Sequence, residues 1–150
     1  NDDVWRWGGT LDEIRQTITY GIRSGHPEAH VSVMPAFGDQ NILSREQISD
    51  MVAYVHHLGG AGIDAEVAER IAPVYDAQCA SCHGVNGTGD RSQGAPNLID
   101  QEWLYGGDDE AIRFTITHAR NSVMPNWNER LDETTITALA IYVHTLGGGE

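Results

Sequence analysis

The chain has 150 residues and a mass of 16.4 kDa, enough for one ordinary domain or two small ones. Acids outnumber bases 22 to 9, giving a formal charge of -13, which leaves few cations to displace counterions from phosphates and excludes a nucleic-acid partner. The 40% hydrophobic fraction can build a core. No apolar run nears the roughly 18 residues that cross a bilayer, and Asn1 opens without a basic and apolar leader, so the chain reads as soluble and globular.

In chain order, Trp5-Arg6-Trp7-Gly8-Gly9 precedes a helix predicted over about Thr10 to Ile22. The polar stretch Ser24 to His30 leads to Ser32-Val33-Met34-Pro35, a loop its proline holds extended. Ser44 and Gln47 form a capping box, Ile48, Met51, Val52 and Val55 follow at helical spacing, and Gly59-Gly60 stops the helix. The next helix carries Val67, Ile71, Val74 and Tyr75 on its apolar side, and Pro73 must kink it or open its second half. It runs into Cys79-Ala80-Ser81-Cys82-His83. Asp108, Asp109 and Glu110 place negative charge at the start of a helix bearing Ile112, Phe114 and Ile116. Asp132 caps the last helix, with Ile136, Leu139, Ala140 and Val143, ending at Gly147. Nothing alternates with period two for long enough to demand a sheet, so the fold class is all-α.

The chain repeats itself. Trp5-Arg6-Trp7-Gly8-Gly9 returns as Trp103-Leu104-Tyr105-Gly106-Gly107, and Ile14, Thr17 and Ile18 return as Ile112, Thr115 and Ile116, all offset by 98. Ser32-Val33-Met34-Pro35 returns as Ser122-Val123-Met124-Pro125 at offset 90, and Tyr54 returns as Tyr142 at offset 88. These are two copies of one module. The copies are unequal: Cys79 lies 24 residues before Trp103, and a counterpart 24 residues before Trp5 falls ahead of Asn1. The expected organisation is residues 1–60 as the C-terminal part of a first domain without CxxCH, 61–65 as linker, and 66–150 as a complete domain.

Three chemistries compete for Cys79 and Cys82. A redox dithiol needs a preceding strand and a βαβ frame; a structural zinc site needs two more ligands at short spacing; neither is apparent. The third is covalent heme c, one per chain, with thioether bonds from Cys79 and Cys82 and His83 as axial ligand. A second axial ligand must loop back over the other heme face. Met124, held by Pro125 and 41 residues after His83, is the candidate, and its repeated loop argues against mere gap-filling. Met34, in the equivalent loop, stands as a vestigial ligand. The Pro96 carbonyl is the expected acceptor for the other ring nitrogen of His83. Trp103, Tyr105 and Arg120 are candidates to meet heme propionates. His56, His57, His118 and His144 read as surface or satisfied core residues.

These motifs, with Gly94-Ala95-Pro96-Asn97-Leu98, Arg120-Asn121-Ser122-Val123-Met124-Pro125 and the ending Tyr142 to Gly148, resemble the diheme cytochrome c subunit (CcoP/FixP) of cbb3-type cytochrome c oxidases. Trp5 to Gly9 and Met34-Pro35-Ala36-Phe37-Gly38 resemble the tail of that subunit's first heme domain. The resemblance implies class I cytochrome c folds, His/Met ligation and a place on the periplasmic side of a bacterial membrane. It also implies a soluble cytochrome c as donor and the other subunits of a membrane oxidase as partners. The chain departs from it in lacking the membrane anchor and the first CxxCH. The expected role is electron transfer, the oxidase activity belonging to the complex and not to this chain. A heme enzyme or gas sensor with a labile methionine, and a structural docking module, are the alternatives. Residues 1–60 carry Trp5, Trp7, Phe37 and Ile48, apolar groups that need cover, so they are expected to pack on the 66–150 domain or to self-associate.

Overall fold

The structure is a computed structural model and describes residues 3–148. Among these it is helical: α1 (Leu11–Tyr20), α2 (Arg45–Leu58), α3 (Ala65–Gln78), α4 (Ala80–His83), α5 (Asp109–His118) and α6 (Glu133–Leu146). No strand forms among the described residues, where pairing is limited to isolated bridges. The helix starts follow local chemistry. The Ser44 hydroxyl accepts from the Gln47 amide while the Gln47 side chain accepts from the Ser44 N–H; Thr10 and Glu13 make the same box on α1. Asp64, Asp108 and Asp132 cap α3, α5 and α6. Pro73 does not break α3, which is continuous across it; the fully buried Ile71 and Tyr75 on either side offset the roughly 3 kcal/mol an interior proline costs.

The described residues fall into two compact units, and the division does not follow the copies of the repeat. One unit comprises Val33–Asp90 and Ala95–Asn121 and holds α2, α3, α4 and α5. Its core joins Ile48, Met51, Val52 and Val55 of α2 to Ile71 and Tyr75 of α3 and to Ile112 and Ile116 of α5. The other unit takes the residues up to Ser32, the short Arg91–Gly94 segment, and the residues from Ser122 onward. Here α1 packs on α6 through Ile14, Ile18, Ile136 and Ala140. We call them the cysteine unit and the α1/α6 unit.

The two copies have therefore exchanged parts. In the cysteine unit, the Phe37 and Gly38 amides of the first copy donate to the Ile116 and Thr117 carbonyls that end α5 of the second, both at 3.1 Å. In the α1/α6 unit, the Trp127 and Asn128 amides of the second copy donate to Ile18 and Thr19 at the end of α1. Trp127 is the counterpart of Phe37, and Ile18 that of Ile116, so the trade is reciprocal. The packing boundary is thus not the expected 61–65 linker. Residues 1–60 do pack on the second copy, but split between two units, and Phe37 and Ile48 are buried by it.

Candidate heme site

Helix α3 delivers Cys79 as the hinge into α4. The Cys82 and His83 amides both donate to the Cys79 carbonyl, at 3.1 and 2.9 Å, closing one tight turn. That turn sets the sulfurs three residues apart on one side, with the imidazole next in line. No disulfide joins them. Burial, then the charge of Cys82, pushes the Cys79 thiol up to about 11. A redox dithiol needs the opposite, a thiol lowered toward neutrality. No group of three or more His, Cys, Asp or Glu side chains gathers to hold a bare metal ion among the described residues.

The turn is braced on both sides. The Tyr75 hydroxyl donates to the Gly84 carbonyl at 2.8 Å, tying the end of α4 back to α3. His83 Nδ1 lies 3.0 Å from the Pro96 carbonyl, the expected acceptor, a contact that orients the ring. The Pro96 segment comes close because Asp90 and Ala95 exchange backbone hydrogen bonds and the Leu98 amide donates to the Gly87 carbonyl at 2.7 Å. Gly89 is required beneath it: its φ is +78°, and a Cβ there would meet the Ala95 oxygen at 2.6 Å.

The exchange sets which methionine shares a unit with the cysteines. Met34 is in the cysteine unit and packs, partly buried, against the core that also receives Cys79, Ala80, Leu98 and Trp103. Asn121 clamps its backbone: Oδ1 accepts from the Met34 amide at 3.1 Å and Nδ2 donates to the Met34 carbonyl at 2.9 Å. Met124 is in the other unit, paired with Ile22 by two backbone hydrogen bonds of 2.9 and 3.0 Å and packed, like Trp5 and Trp127, against the core of Ile14, Ile18, Ile136 and Ala140. Of the expected site residues, Cys79, Cys82, His83, Pro96, Trp103, Tyr105 and Arg120 share one unit, and Met34 accompanies them instead of Met124. Asn121 escaped the sequence reading. Its signal was an amide where the first copy has the exposed Val31. Of the histidines set aside, His56 meets Asp109 at 2.9 Å, His118 meets Asp39 at 2.9 Å, and His57 meets the Ala61 carbonyl at 3.0 Å.

Two thiols one turn apart and an imidazole oriented by a carbonyl, with a methionine whose backbone is clamped in the same unit, are residue types suited to heme c. Comparison with known proteins agrees. Residues 66–143 match the family described as cytochrome c oxidase, cbb3-type, subunit III. The cbb3-type cytochrome c oxidase subunit FixP of Azorhizobium caulinodans is 54% identical over the whole chain, which covers 51% of that protein. Subunit CcoP of Cereibacter sphaeroides is 49% identical, with 99% of this chain and 52% of the relative covered. Subunit FixP of Bradyrhizobium diazoefficiens is 48% identical over the whole chain and 52% of its own length. The chain thus spans about half the length of these relatives. No helix among the described residues is long and apolar enough to cross a membrane. With a CxxCH turn, a carbonyl-oriented histidine and this family match over more than half its length, the chain belongs to the subunit III family of cbb3-type cytochrome c oxidases, a cytochrome c family, which implies covalent heme c.

Proposed function

We propose that the cysteine unit is a class I cytochrome c domain with one heme c, carrying electrons from a soluble cytochrome c toward the oxygen-reducing subunit of a cbb3-type oxidase, on the periplasmic side of a bacterial membrane. The bound heme supplies one-electron cycling of iron between ferric and ferrous states; the protein supplies burial, axial ligands and orientation. Cys79 and Cys82 would hold the heme through thioethers, His83 would bind iron through Nε2, and Trp103 and Tyr105 would line the pocket. The sixth ligand is assigned to Met34 and not to Met124. The observation that carries this is the Asn121 clamp, which sets the Met34 backbone in the cysteine unit. A thioether there favours the ferrous state and raises the potential relative to two nitrogen ligands.

The α1/α6 unit carries the same acceptor parts without cysteines: Met124 in the equivalent loop, and Trp5 equivalent to Trp103. The Trp5 indole nitrogen is buried with no hydrogen-bond partner. An unsatisfied buried donor is costly and calls for a partner. This supports reading the unit as part of a second heme module.

The test is a pair of variants, M34A and M124A, read by intact mass and ferric absorption. Wild type is expected to carry one covalent heme and a methionine–iron band. M34A should keep the heme, lose the band, lower the potential and admit exogenous ligands, while M124A keeps the band. The reverse pattern returns ligation to Met124. A high-spin wild-type spectrum favours a sensor or enzyme instead, and protein without heme favours the docking module.

A further inference from the structure

Arg23 and Asn121 stand at the same place in the two copies, two residues past the C-caps Gly21 of α1 and Ala119 of α5. Asn121 clamps the methionine loop of the other copy. Arg23 does corresponding work with a longer side chain. Its Nε donates to the Ser122 carbonyl at 2.8 Å and its Nη1 to the Ser32 carbonyl at 2.7 Å. Ser32 and Ser122 are themselves counterparts, each two residues ahead of its methionine, Met34 or Met124. One guanidinium thus grips the roots of both methionine loops.

The backbone brings those roots to it. Residues 21–23 pair on one edge with His30, whose carbonyl accepts from the Arg23 amide at 2.8 Å and whose amide donates to the Gly21 carbonyl at 3.1 Å. On the other edge Ile22 exchanges its two hydrogen bonds with Met124. Arg23 has a φ of +53°, which an arginine rarely adopts and which persists only where the surroundings hold it. In a chain with 22 acids, no carboxylate pairs with it among the described residues. Its rigid fork is spent on two carbonyls instead, a span that a single ammonium does not reproduce. Val33 and Val123, which separate each grip from its methionine, are exposed, so packing does not hold them.

We propose that Arg23 is a positioning residue for the axial methionine: by holding the Ser32 carbonyl it keeps the Met34 loop set for iron. This rests on the reading above that Met34 is the sixth ligand. The chain passes from the α1/α6 unit to the cysteine unit between Ser32 and Val33. The Arg23 grip lies just before that crossing and the Asn121 clamp just after it, with only Val33 between them. A loop fixed at both points has little freedom left to lose when its thioether binds. Without Arg23 the methionine–iron bond must supply that ordering itself, and an exogenous ligand displaces Met34 more readily.

The experiment is an imidazole titration of the ferric, heme-loaded chain, followed by its visible spectrum, with R23Q, M34A and R23Q/M34A completing a double-mutant cycle. R23Q is expected to bind imidazole about tenfold more tightly than wild type, the equivalent of one lost hydrogen bond to a charged group. In the M34A background the same substitution should change the affinity by less than about twofold, because no thioether is left to position. A merely structural role would move both backgrounds alike. An R23Q affinity equal to that of wild type overturns the proposal, and so does an equal shift with and without Met34. Should R23Q fail to take up heme, wild type decides by nuclear magnetic resonance. Coupling is reciprocal, so the Arg23 Nε–H should exchange with solvent about tenfold faster once imidazole has displaced Met34; an unchanged rate overturns the proposal. If M34A itself leaves imidazole affinity at the wild-type value, the ligation reading fails and takes this proposal with it. A failure confined to the Arg23 measurements leaves that reading standing.

Discussion

Met51 and Leu139 occupy the same position in equivalent helices, yet Met51 is 1% exposed and Leu139 is 38% exposed. Along α2, Met51 and Val55 are buried and Tyr54 and Leu58 pack against the same core, where α3 lies on them. Along α6, the counterparts Leu139, Tyr142 and Leu146 are exposed. The difference is not in the helices, whose caps and apolar spacing match. It lies in the neighbour: the described residues of the α1/α6 unit include no counterpart of α3. Equivalence in a repeat therefore guarantees a shared local structure and leaves burial to whatever packs on it.

The largest expected consequence is in stability. M51A should cost about 2–5 kcal/mol, the range for emptying a packed site, while L139A should stay within about 0.5 kcal/mol. Denaturant midpoints of the two variants check this, and equal losses would mean that α6 is covered in solution. A smaller contrast separates the ends of α1 and α5. Gly21 and Ala119 are equivalent C-caps with φ of +78° and +57°, a region unfavourable to side chains by about 1–2 kcal/mol. A Cβ on Gly21 would collide with the Met124 carbonyl, so G21A should cost more than about 1 kcal/mol, whereas A119G should be near neutral.

The smallest effect is one of pH, with opposite signs in the two units. The Thr10 side chain and amide hold the Glu13 carboxyl below its usual value, and the Thr135 amide and hydroxyl do the same for Asp132. Depressed carboxylates stabilise above their unfolded pKa and lose that contribution as pH falls through the folded one. Protection of α1 and α6 amides, relative to their intrinsic exchange rates, should therefore fall below about pH 4. In the cysteine unit, burial pushes the Tyr75 phenol up to about 12. Its contribution is complete below the unfolded value near 10 and lost as pH rises from there toward 12. The denaturant midpoint of the cysteine unit should fall as pH rises through that alkaline window.

Local structure was legible because its causes are local. Ser44 with Gln47, Asp132 ahead of α6, and the apolar spacing of Ile48, Met51, Val52 and Val55 each act within a turn or two. The CxxCH turn and the Pro96 carbonyl were legible for the same reason: one is a five-residue motif and the other a short loop after it. The exchange was not legible. Ile14 and Ile18 offer nearly the same surface as Ile112 and Ile116, so apolar pattern cannot say which methionine loop each helix receives. Which methionine shares a unit with the cysteines turns on long-range partners such as Asn121 and Ile22, which no local pattern carries. The helix through Pro73 likewise depended on tertiary burial overriding a local cost.

The reciprocal trade of the Met34 and Met124 loops also constrains how such a chain can be inherited. A tandem duplication ordinarily leaves two parts, either of which can be deleted while the other survives. Here the first copy supplies α2 to the cysteine unit and α1 to its neighbour, and the second copy supplies α5 and α6 in return. Deleting either copy would strip a wall from both cores.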